Sequence, residues 1–96
     1  MATNKSILID DCLDRCYLCG AYGSMEEHHI FGGPCRKASD KRGLVVHLCR
    51  TCHHTKVHNS KDHSEMEYLH RRGQMVYEAQ IGTRMDFIRE FIRSYL

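Results

Sequence analysis

Leu48-Cys49-Arg50-Thr51-Cys52-His53-His54 sets two cysteines across a two-residue turn and follows them at once with two imidazoles. A matching turn, Cys16-Tyr17-Leu18-Cys19, lies upstream, with 29 residues between the two CxxC pairs. Each CxxC can present two thiolates to one side of a tight turn, and four sulfurs complete the tetrahedron that zinc accepts at about 2.3 Å per bond. A closed four-sulfur site has no open position for chemistry. Zn²⁺ on Cys16, Cys19, Cys49 and Cys52 is therefore expected to be structural. Reduced cysteines in an apolar core would not explain the paired spacing, and a redox CxxC would need a βαβ setting that is missing here. Cys12 is a substitute ligand in reserve, and Cys35 reads as a loop bystander.

Working outward, Glu26 to Phe31 and Leu44 to Leu48 are short, partly β-branched runs separated by Gly32-Gly33-Pro34 and a basic loop, which predicts a hairpin with a long connection. A helical turn is expected over Arg50 to His58. Beyond it Ser64, with Glu67 three residues on, reads as a capping box opening a first tail helix, along which Met66, Leu69, Val76 and Tyr77 share a face. Gly73 weakens this helix by about 1 kcal/mol relative to alanine, and Gly82 ends it. Thr83 with Asp86 opens a second helix, where Ile88, Phe91, Ile92 and Tyr95 form an apolar stripe read as core. His63 and His70, with no metal-type neighbours, read as surface residues. The expected fold is α+β in one domain, 1–96: a zinc-stapled ββα core over 12–59 and a helical tail over 64–96 that packs on the core or on a second subunit.

Six cysteines and eight histidines among 96 residues, with no tryptophan, suit a chain that recruits metal where its core is small. Its N-terminus carries no export-type pattern and no apolar run could span a bilayer, so reduced cysteines, a cytoplasmic location and no membrane partner are expected. The net charge of +2 decides little, but its distribution is uneven. Residues 36–56 hold six basic groups and one acidic group, against two basic and five acidic in residues 1–35. That basic segment coincides with the Cys/His motifs. A plain solvated loop is the alternative reading.

The histidines cluster in the segments that the cysteines draw together. Imidazoles suit a borderline divalent metal, and two or three of them leave positions open for a phosphate oxygen and water. The run Glu27-His28-His29-Ile30-Phe31-Gly32-Gly33, with Leu48 to His53 and a later His58, resembles the HNH (His-Me finger) endonucleases, especially small phage and prophage proteins with CxxC zinc knuckles. The resemblance covers roughly residues 16 to 58. It implies a ββα-metal fold with His29 as general base, and His28, His53 and His58 as ligands of a catalytic Mg²⁺, Mn²⁺, Ni²⁺ or Zn²⁺. It also implies DNA as substrate and a phage or prophage origin in a bacterial host. Adjacent strand residues point to opposite sides, so His28 and His29 cannot both ligate one ion without distortion. Two departures stand out. The family's middle asparagine falls at Leu44, which cannot hydrogen-bond, although His47 lies three positions on. His54 and His58, four apart, would share an α-helical face, so His54 is an alternative to His53.

In this reading Arg36, Lys37, Lys41, Arg42, Arg50 and Lys56 hold the DNA backbone through phosphate contacts. The rival is a catalytically degenerate HNH-scaffold zinc module that binds nucleic acid or a protein partner, such as a phage-encoded inhibitor. The C-terminal helices are the surface for a protein partner or homodimer. A zinc-only transcription-factor finger is weaker still, because no recognition-helix pattern follows the knuckles.

Overall fold

The computed structural model describes residues 3–58 and 63–96, the side chains of Lys56 and His58 excepted. Strand β1 (Glu26–His29) pairs antiparallel with β2 (Val45–Leu48), in the register Glu26 to Leu48 and His29 to Val45. A 3₁₀ turn (Gly33–Cys35) and helix α1 (Arg36–Lys41) connect them, so the expected basic loop is largely helical. A π-helix (Cys52–His58) follows β2, and then come α2 (Ser64–Gln80) and α3 (Arg84–Phe91). The molecule is thus a small α+β structure built on a two-stranded antiparallel sheet.

All four residues of β2 are buried, as in a strand covered on both faces. Val46 and Leu48 share a face with His28 and enter the main core. The outer edge of β2 is covered by the N-terminal segment instead of a third strand. Ser6 Oγ donates to the Val45 carbonyl at 2.6 Å, the His47 N–H donates to Asp11 at 2.8 Å, and Tyr17 N–H donates to the His47 carbonyl at 2.8 Å. Unpaired edge groups invite misassociation, and here these groups are already satisfied. The segment approaches so closely at Gly43 (φ +70) that a Cβ there would lie 2.5 Å from the Lys5 carbonyl oxygen.

Both strands are shorter than their apolar runs. After His29 the chain still bonds Leu44 through Ile30 N–H, but Phe31 N–H turns to the buried Ser39 hydroxyl, which itself donates to the Leu44 carbonyl at 2.6 Å. Ser39 thereby ends the ladder and closes the loop. Phe31 then inserts among the tail rings, 4.8 Å from Phe91 and 5.3 Å from Phe87 between centroids.

The tail packs on this hairpin. Leu69, Val76 and Tyr77 are buried as their spacing predicts, and Met66 packs at the edge of the core. The capping box at Ser64 is not formed: His63, in a left-handed conformation, takes the N-cap place, and the Ser64 hydroxyl donates to Glu65. The box at Thr83 and Asp86 is formed in both directions. The apolar stripe also needs correction. Helix α3 ends at Phe91, so Ile92 leaves the helical phase with φ +79 and is exposed, while Phe87 takes the buried place. Buried Gln74 ties down the final residues, accepting from Tyr95 N–H at 2.6 Å and donating to Ser94 at 3.0 Å.

Gly73 does not interrupt α2, because it sits where the helix crosses Ile30 and Phe31. An added Cβ would lie 2.9 Å from Ile30 Cγ2 and 3.0 Å from the Phe31 ring. Helix propensity alone favours Gly73→Ala by about 1 kcal/mol, whereas overpacking a well-filled core costs about 1–3 kcal/mol. The expected outcome is a net loss near 1 kcal/mol, read as a Tm lowered by about 4–8 °C in a chain of this size. A raised Tm on thermal denaturation would mean that α2 does not approach Ile30 and Phe31 this closely.

Candidate functional site

The four cysteines of the CxxC pairs meet in space, their sulfurs all within 4.8 Å of one another. The first pair sits on a tight turn closed by Gly20 N–H to the Cys16 carbonyl at 2.9 Å and hung on β2 through Tyr17. The second begins one residue past β2, and Cys52 opens the π-helix. Within each pair a backbone N–H points at the leading sulfur, Cys19 to Cys16 at 3.5 Å and Cys52 to Cys49 at 3.4 Å. The Cys19 and Cys49 sulfurs are 3.7 Å apart. This is far from a disulfide bond of about 2.05 Å, and close to the edge of about 3.8 Å of a tetrahedron with 2.3 Å metal–sulfur bonds.

The acidities fit the same donor set. Burial opposes ionisation of Cys16, but the surrounding backbone N–H groups outweigh it and bring the thiol down to about 6. Burial, followed by the neighbouring thiols, pushes Cys52 up. Four thiolates in contact need a cation to ionise together, and these residues could hold a metal such as zinc. Cys12, exposed on the lead-in, and Cys35, the buried last residue of the 3₁₀ turn, are outside the set. Protein purified without chelator should carry one zinc per chain, and Cys49→Ser should lose the metal together with cooperative unfolding, because binding energy at such a site is folding energy. Metal analysis and thermal melts check this, and a folded Cys49→Ser protein with undiminished zinc would overturn it.

The histidine pair divides as strand geometry requires. His28 is buried on the core face opposite Val46, with its ring centroid 5.2 Å from that of His53. His29 faces the other way, its Nε2 3.0 Å from Asp40 on α1. On the His28 side, Glu26 reaches both helix-borne imidazoles through one oxygen, 2.8 Å from His53 Nδ1 and 3.1 Å from His54 Nε2. The His53 bond, helped by His54 and opposed by slight burial, holds the Glu26 carboxyl below its usual range. Two ring nitrogens and a carboxylate oxygen this close could hold a borderline divalent cation. The π-helix brings backbone positions 53 and 58 into i, i+5 register. The His58 side chain lies outside the described residues.

His28, His29 and His53 line one cavity of about 540 Å³, whose other wall includes Phe31, His70 and Tyr95. Of the basic candidates, Arg36, Lys37, Lys41 and Arg50 are exposed, and Arg36 also reaches the cavity. Arg42 is committed elsewhere, donating to Glu90 of α3 at 2.8 Å. The Lys56 side chain lies outside the described residues. Leu44 is fully buried in the core, and His47, opposite Glu27 on the same sheet face as His29, is tied to buried Asp11 through Nδ1 at 2.7 Å.

Asp40, Glu26 and Asp11 were missed as partners of the histidines. Only Glu26 carried a signal, since it stands two positions before His28 and therefore on the same strand face. His63 is exposed as expected, but His70 is partly buried. It stacks on Phe31 at 5.3 Å with 13° between the rings and lies 4.5 Å from Tyr95. Burial, assisted by the Arg93 charge and opposed by an Ile30 backbone contact, lowers its pKa below the ordinary 6.5. The unfolded chain then binds the proton more readily, so the contribution of His70 is fully present above pH 6.5 and is lost as pH falls toward its folded pKa. His70→Phe should keep the stacking and flatten the decline of Tm between pH 7 and about pH 5. An unchanged slope would place the loss on other groups.

No family model matches the chain, and neither a curated protein nor a solved structure matches it. Among the described residues no helix is long and apolar enough to cross a membrane.

Proposed function

We propose that this protein is a metal-dependent DNA endonuclease of the HNH type, with the cysteine cluster as a structural zinc site. The observation that carries the reading is the opposed setting of the neighbouring histidines, His28 toward His53 and His29 toward Asp40. One strand thus offers a metal ligand and a base side by side. His28, His53 and His58 would hold a divalent cation, with His54 and Glu26 beside them, and that cation would supply electrostatic stabilisation of charge developing on the phosphate and the leaving oxygen.

The residues of the chain do the rest. His29 takes a proton from the attacking water as the water oxygen bonds to phosphorus and the bond to the 3′ oxygen breaks. Arg36, Lys37, Lys41 and Arg50 hold flanking phosphates through contacts that carry no sequence information. Arg42, bound to Glu90, contributes by fixing the α1 connection against α3. A prophage or phage source and a bacterial cytoplasm belong to this same reading.

Leu44 favours a second reading, a degenerate HNH scaffold that binds DNA or a protein without cutting. A plasmid assay separates the two. Supercoiled DNA with Mg²⁺, Mn²⁺, Ni²⁺ or Zn²⁺ should be nicked or linearised, EDTA should stop the reaction, and His29→Ala should slow it at least about 10²-fold, the low end for a general base. His28→Ala and His53→Ala should instead weaken affinity for the second metal. DNA binding without cleavage under every metal would establish the second reading.

A further inference from the structure

We propose that Asp40 is the positioning residue for His29, holding its imidazole in one tautomer and one orientation. This inference rests on the nuclease reading for its kinetic consequence but has a structural readout of its own. Asp40 lies near the end of α1, and its Oδ1 is 3.0 Å from His29 Nε2. An aspartate carboxylate only accepts, so the ring proton sits on Nε2 and the lone pair on Nδ1, the atom that receives the proton from water.

The carboxylate is itself held from two directions. Lys5, on the N-terminal segment, binds the same Asp40 oxygen and also reaches Glu27 at 3.1 Å. Meanwhile the Asp40 carbonyl accepts from Gly43 N–H at 3.2 Å, fixing the end of the helix that carries the side chain. Half-exposed ion pairs of this kind contribute little to stability, so a purely structural role accounts poorly for the arrangement. Leu44, at the place where a hydrogen-bonding side chain is expected, is buried, and its carbonyl is taken by Ile30 and Ser39. Asp40, four residues earlier on the other side of the turn, supplies the missing acceptor.

The test uses the full chain with its metals bound, and compares Asp40→Ala with Asp40→Asn. In the wild type a hydrogen-bonded ring N–H of His29 should be visible by ¹⁵N-resolved NMR as a slowly exchanging proton on Nε2. Asp40→Ala should lose that signal while the backbone spectrum stays native, and Asp40→Asn, whose amide oxygen still accepts, should keep it. In the plasmid assay Asp40→Ala should lower kcat about 10- to 100-fold with KM little changed, short of the loss on removing the base itself, and Asp40→Asn should recover most of it. A folded Asp40→Ala protein that keeps both the ring signal and its kcat overturns the inference and leaves the nuclease reading standing. A wild-type protein that never cuts DNA overturns the nuclease reading, and the ring signal then decides the positioning of His29 by itself.

Discussion

Everything in this molecule is referred to β2, and the convergence of two cysteine turns at its exit is the constraint that holds the strand in place. One turn hangs on the His47 carbonyl through Tyr17, and the other begins immediately after Leu48. Their sulfurs meet within 4.8 Å. A two-stranded sheet is marginal in water on its own. Here the cysteine turns meet at its exit, Ser6 and Asp11 seal its outer edge, and the tail covers it through Phe31, so the hairpin is supported on three sides.

Among the described residues three carboxylates pair with imidazoles, Glu26 with two of them, and burial separates the roles. Asp11 and His47 are both buried, and Asp11 accepts from the backbone and the ring of one residue, which makes that pair a tether for the N-terminal segment. Glu26 with His53 and Asp40 with His29 instead have solvent-facing carboxylates, on opposite sides of β1. A buried pair can only hold the fold together. An open one can also exchange partners with an incoming ion or water, and these two bracket the strand that carries His28 and His29.

What was legible in the sequence is what is local. The CxxC turns, the alternation of His28 and His29 and the Thr83–Asp86 cap all follow from neighbours within a few positions, where backbone geometry leaves few choices. Beyond the place of Glu26 on the His28 face, the partners of the histidines were not legible, because Asp40 and Glu26 meet them only after the loop has folded into α1 and the π-helix has swung back. The same holds for His70 and Phe87, whose burial depends on where Phe31 is delivered. At Ser64 the pattern misled for a different reason: a capping box assumes an extended N-cap, and His63 in the left-handed region moves the helix start forward by one residue. Gly73 likewise reads as a weak point until the helix crossing beneath it is known.

The segment Cys52–His58 winds wider than an α-helix, with its backbone bonds reaching five residues instead of four. The number of residues in it therefore acts as a phase setting. Tightened to ordinary α geometry with all its residues kept, the coil would carry position 58 about 140° round the axis from position 53, because five steps of about 100° overshoot a full turn. His53 would stay beside His28 while the far end of the turn swung away. The wide winding and the extra residue thus belong together: this turn spends five residues where an α-helix spends four, and only the two combined keep both of its ends on one face.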